Sequence, residues 1–102
     1  MDLGNTIKNL RLQKGLKQNS FAAQCDITPA YLSQIENNLK EPNMSTLKEI
    51  SLHLGVPLPI LFFLSMDQAD VQPHKRKAFE MLAPSIRSMI SEFFINSTAK
   101  NG

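Results

Sequence analysis

Leu3, Ile7 and Leu10 stand four and three residues apart, and the stretch closes before Gly15. That spacing predicts a short amphipathic helix. Phe21, Ala22 and Cys25 form a second, shorter stripe. A third follows with Tyr31, Leu32, Ile35 and Leu39 inward, opened by Thr28 as N-cap and Pro29 at the first helical position. Asn43 caps a fourth helix with apolar positions Met44, Leu47, Ile50, Leu52 and Leu54, and Gly55 stops it. Pro57 and Pro59 open a fifth, "ILFFLSM". No segment alternates like a strand. The pattern predicts an all-α fold, a compact five-helix domain over residues 1–66.

Residues 67–77, "DQADVQPHKRK", break the periodicity and read as a linker or helix lead-in. Over 78–97 it returns: Phe79, Leu82, Ile86, Met89 and Phe93 are spaced three, four, three and four apart, and Ile90 and Phe94 widen the seam. Pro84 is expected to kink this helix or start a new one at "PSIRSMISEFF". A short helix with such a stripe is marginal alone. Phe62, Phe63 and Leu64 add more apolar surface than a small domain buries. The expectation is a C-terminal helical oligomerisation segment. Homodimerisation through Phe62, Phe63, Phe79, Leu82, Ile86, Met89 and Phe93 is preferred to packing of the tail onto its own domain.

At 102 residues the chain holds a modest core but no enclosed active-site cavity beside it. The net charge of +2, from 11 basic and 9 acidic residues, puts the weight on where charges sit. One cysteine, Cys25, leaves no intrachain disulfide and fits a reducing cytosol. It reads as a small buried hydrophobe rather than a redox sensor. The longest apolar run, "VPLPILFFLSM", has 11 residues and two prolines, too short to span a bilayer. With no apolar signal stretch at the N-terminus, a soluble cytoplasmic protein without a membrane partner is expected. His53, His74 and Cys25 have no metal-ligand spacing. No nucleophile–base pair, phosphate-cradling glycine loop or catalytic carboxylate pair is present. Neither enzymatic activity, nor a metal, nor a cofactor is expected.

The most specific signal lies between Gln18 and Glu36. Two short helices flank "CDIT", with Asp26 where the chain must pass through a left-handed conformation. Ala22 is small where the helices cross, and Ile27, Leu32 and Ile35 supply apolar contacts. This is the physical specification of a helix-turn-helix, whose second helix enters the major groove. Across residues 3–62, about three-fifths of the chain, the order "LR", "KGL", "Q", "A", "YLS", "IE", "TL" resembles the Cro/repressor-type (lambda repressor-like) helix-turn-helix family of bacterial and phage transcription regulators.

The resemblance implies double-stranded DNA as partner. It also implies that Arg11 pairs with Glu36 to tie the first helix to the reading helix, a geometric role rather than DNA contact. With Leu32, Ile35 and part of Tyr31 inward, the helical step turns Pro29, Ala30, Ser33, Gln34 and Asn37 outward as base-reading candidates. Gln34 matches a position where the family reads bases, and glutamine can bond adenine bidentately. Pro29 and Ala30 offer apolar surface to a thymine methyl, so A·T-rich half-sites read partly by shape are expected. Gln18, Thr28, Lys40 and Asn43 are phosphate-contact candidates, Gln18 by resemblance and by its place at a helix start. Lys17 departs from the family's usual Ser or Thr cap and adds a cation instead. With few cations per domain, two domains per site are expected. The reading is a dimeric regulator, in the main a repressor, on a two-fold operator. The alternative is an antitoxin or other interaction module whose apolar tail binds a toxin or antagonist protein.

Overall fold

The structure, a computed structural model, describes residues 1–96. Within them the stripes become helices α1 (Leu3–Gln13), α2 (Gln18–Gln24), α3 (Pro29–Glu36), α4 (Met44–Leu54), α5 (Leu58–Ser65) and α6 (Arg76–Ile90). A π-helical turn, Ser91–Asn96, continues α6, and 3-10 turns occupy Gln68–Asp70 and Pro73–Lys75. The described chain is all-helical. No single helix in it is long and apolar enough to cross a membrane.

Caps fix the helix starts. Asp2 accepts the Asn5 N–H at 3.1 Å, Thr28 the Tyr31 N–H at 3.0 Å, and Asn43 the Thr46 N–H at 2.8 Å. Gly55 ends α4 in the left-handed conformation, φ 71°. Ile7, Leu10, Phe21, Ala22, Leu32, Ile35, Leu47, Ile50, Leu54, Val56 and Leu61 close around one core together with Cys25. α1 packs against α3 and α5, α2 against α3, and α4 against α5.

Three expected core residues lie outside it: Leu39, Met44 and Leu52 are 73%, 53% and 67% exposed. α3 ends at Glu36, so helical spacing no longer aims Leu39; Asn38 takes φ 59° and the Leu39 N–H folds back onto the Gln34 carbonyl at 2.8 Å. Met44 is the first residue of α4 and precedes its buried stripe. The helical step sets Leu52 about 140° from Leu47, on the far side of α4.

The stretch 67–77 forms the two 3-10 turns, and its last two residues already belong to α6. Arg76 Nε donates to the carbonyls of Gln68 at 2.9 Å and Val71 at 3.0 Å. α6 runs through Pro84 without interruption, the proline on its exposed side, so no second helix starts there. Ala83 and Ile90 are buried beneath it. Phe79 meets Phe63 with ring centroids 6.2 Å apart. The Arg87 guanidinium lies 6.0 Å and 5.7 Å from those two rings and donates to the Met66 carbonyl at 3.1 Å. Lys14 Nζ reaches the Phe94 carbonyl at 3.0 Å, holding the following turn on the domain. One face of the tail therefore packs back onto its own chain. Ser97, the last residue of the segment 78–97, lies outside the described residues.

Candidate nucleic-acid interface

The α2–α3 connection is made by short-range chemistry. Asp26 takes φ 60°, and the N–H groups of Asp26 and Ile27 return to the carbonyls of Ala23 at 3.1 Å and Ala22 at 3.0 Å. The completely buried Ala22 allows the close crossing. Cys25 packs under this turn, its Sγ 3.8 Å from the Glu49 carbonyl on α4. Burial pushes the thiol up to about 11, with the Glu49 charge adding to the shift. Asp26 tolerates the left-handed turn because its short polar side chain meets the backbone with less conflict than a branched one would.

Three helices meet at one buried carboxylate. Arg11 on α1 donates from Nε to Glu36 Oε2 at 2.7 Å and from Nη2 to Oε1 at 3.0 Å. Gln18 on α2 donates from Nε2 to the same Oε1 at 3.1 Å. A third bond from Arg11 Nη1 to the Leu16 carbonyl, 2.9 Å, anchors the loop between α1 and α2. Both ions of the pair are almost fully buried. Such a charge pair holds its partners in one geometry, because no water is at hand to replace a lost contact.

Just past the same end of α3, Asn38 makes a second tie to α1, at the other end of that helix. Its Oδ1 accepts the Gly4 N–H at 3.1 Å and its Nδ2 donates to Asp2 Oδ1 at 2.7 Å. The Asn38 amide and the Asn5 N–H together hold the Asp2 carboxyl below its usual value. α1 is thus tied at both of its ends to the C-terminal end of α3, with Leu32 and Ile35 fixed in the core.

That clamp decides what α3 presents. Pro29, Ala30 and Asn37 are exposed, and Ser33 and Gln34 half-buried. Asn37 is turned along its own helix, its Nδ2 donating to the Ser33 carbonyl at 2.9 Å and lying 3.4 Å from the Ser33 hydroxyl. Lys17 precedes α2 without a side-chain cap, and Lys40 follows α3; both are exposed and neither forms an ion pair among the described residues. Thr28 and Asn43 spend one oxygen each on capping, which leaves the hydroxyl hydrogen and the amide group for an outside acceptor. Asn38 escaped the sequence reading, although asparagine just past a helix is a recognised stop signal.

Residues 7–61 match the helix-turn-helix family model. The chain belongs to the Cro/C1-type helix-turn-helix family.

The control protein C.MunI of a Mycoplasma species is 45% identical over 60 residues, covering 58% of this chain and 81% of that protein. The HTH-type transcriptional regulator RamB of Mycobacterium tuberculosis is 32% identical over 65 residues, and the chain spans only 13% of its length. The immunity repressor protein of Bacillus phage phi105 is 25% identical over 91 residues, 85% of this chain and 63% of the repressor. No solved structure matches the chain significantly. As a helix-turn-helix protein the molecule is a DNA-binding regulator. The matched region ends within α5, so α6 and the turns before it lie outside the family pattern.

Proposed function

We propose that the helix-turn-helix protein binds a two-fold symmetric operator as a dimer, with α3 in the major groove, and represses transcription there. The observation that carries this is the double clamp on α3. Its inner face is fixed by the core, the Arg11–Glu36 pair and Asn38, so its outer face is rigidly offered. Pro29, Ala30, Ser33, Gln34 and Asn37 are the base-reading set. Gln34 supplies the bidentate contact to adenine, while Pro29 and Ala30 lie against thymine methyls. Lys17, Gln18, Thr28, Lys40 and Asn43 contact phosphate from the rim. Gln18 does so with the second amide hydrogen, which Glu36 leaves free. The name of one relative, an immunity repressor, supports control by repression.

Two cations per domain at the rim give modest affinity, so two domains act together on one site. Selection from random duplex DNA with the full chain, at about 0.15 M salt, tests the reading. A two-fold site with half-site centres about 10 bp apart and A·T-rich contacted positions is expected. Replacing Gln34 by Ala relaxes one base position by about 1–3 kcal/mol and leaves the others unchanged. G·C-rich contacted positions, or no enrichment, would reject it.

A further inference from the structure

We infer that the solvent face of α6 is an interface for a second copy of this chain, the two helices lying antiparallel about a two-fold axis beside Ser85. This deepens the dimeric reading above and rests on it. The seam along the tail splits in the structure. Phe79, Ala83 and Ile90 turn toward the chain's own domain, with the Arg87 guanidinium close to both the Phe63 and Phe79 rings. Leu82 and Met89 remain 60% and 53% exposed, flanked by Met81 and Phe93 and spaced by the small exposed residues Ala78 and Ser85. An apolar arc of this kind on a helix already anchored by its other face is a docking surface.

Its pattern selects the occupant. Leu82 and Met89 stand three before and four after Ser85, so reversing the helix sets each Leu82 against the Met89 of the other copy. An isologous contact requires this self-complementarity. Charge fixes the direction. His74, Lys75, Arg76 and Lys77 gather at the start of α6, while Glu92 lies beyond its far end. Glu80, the other acid of this segment, is engaged by Gln68 Nε2. Parallel helices would press the two basic starts together; antiparallel helices bring each start toward the partner's Glu92. α6 also has no side-chain N-cap and no acid in its first turn. An antiparallel neighbour places the negative end of a second helix dipole beside that start.

Cysteine cross-linking of the full chain tests this, because native Cys25 is buried and serves as the silent control. Seven residues of helix advance about 10 Å, so antiparallel pairing sets the two Ala78 positions about 20 Å apart and the two Ser85 positions side by side. A disulfide needs Cα atoms within about 7 Å. On mild oxidation Ser85→Cys forms a covalent dimer and Ala78→Cys does not. Leu82→Glu with Met89→Glu turns the sedimenting dimer into a monomer of unchanged helix content. Cross-linking of both cysteine variants means parallel helices and overturns the proposal. A chain that sediments as a dimer and selects a two-fold site, with neither cysteine cross-linking, overturns this interface but leaves the dimeric reading standing. A chain that is monomeric alone and on DNA overturns both.

Discussion

Arg11 and Glu36 are 25 residues apart in the chain and 2.7 Å apart in the fold, the guanidinium gripping the carboxylate through two nitrogens inside the domain. Removing one partner strands a buried charge. Arg11→Met or Glu36→Met is expected to cost about 3–5 kcal/mol. The double replacement is expected to cost less than either single one, since two apolar side chains leave no charge to desolvate. Urea unfolding of the four proteins measures the coupling. Losses that simply add would show that the pair is not a unit.

Gly4 is a second point where α1 and α3 depend on each other. A Cβ placed on it would sit 2.3 Å from the Ile35 carbonyl oxygen and 2.9 Å from that of Glu36, both backbone atoms with no rotamer to escape into. Gly4→Ala is expected to destabilise by about 1–3 kcal/mol despite alanine's better helix propensity. A thermal melt at or above that of the parent protein would contradict the close packing.

The Asp2–Asn38 contact gives the protein a defined acid limb. Asp2 is held below the ordinary value of 3.8, chiefly by the Asn38 amide and next by the Asn5 N–H. A depressed carboxyl contributes stability that is present above its unfolded value and lost as pH falls through the folded one. The loss therefore falls below about pH 4. Asp2→Asn keeps a capping oxygen but does not titrate, so its stability should fall less steeply there. Asp70, lowered by the Asp67 N–H above all, acts in the same sense and leaves part of the limb in place. Chemical denaturation from pH 2 to 6 separates the two profiles. Parallel profiles would rule Asp2 out as a source.

Cys25 should be inert in the folded protein. With its thiol pushed up to about 11 under the α2–α3 turn, only about one molecule in a thousand carries the thiolate at pH 8. Labelling by a thiol-specific disulfide reagent is expected to follow opening of the domain. It should be slow in buffer and immediate in concentrated urea. Rapid labelling of the native protein would mean that the turn opens far more readily than its packing implies.

The helix-turn-helix was legible because its determinants are local. Thr28 and Pro29 start α3, Asp26 takes the left-handed turn, Ala22 admits the crossing, and a 3.6-residue period puts Leu32 and Ile35 inward. Each of these is set by a few neighbouring residues. Leu39 departs from the expected inner face because the helical period stops with α3 at Glu36, and Leu52 because it does not share the face of Leu47 and Ile50. The role of Asn38 could not be read from its neighbours, since its partners Asp2 and Gly4 are 36 and 34 residues away.

The tail shows the division most clearly. The sequence by itself determined that residues 78–94 form an apolar helical seam, because spacing along one helix is a property of that helix alone. Only the tertiary structure decided which part of the seam its own chain covers. Phe63 and the Met66 carbonyl capture Phe79 and Arg87, and that rotation leaves Leu82 and Met89 turned to solvent. A helix carries its stripe wherever it goes; which neighbour covers the stripe depends on surfaces that exist only once the rest of the domain has folded.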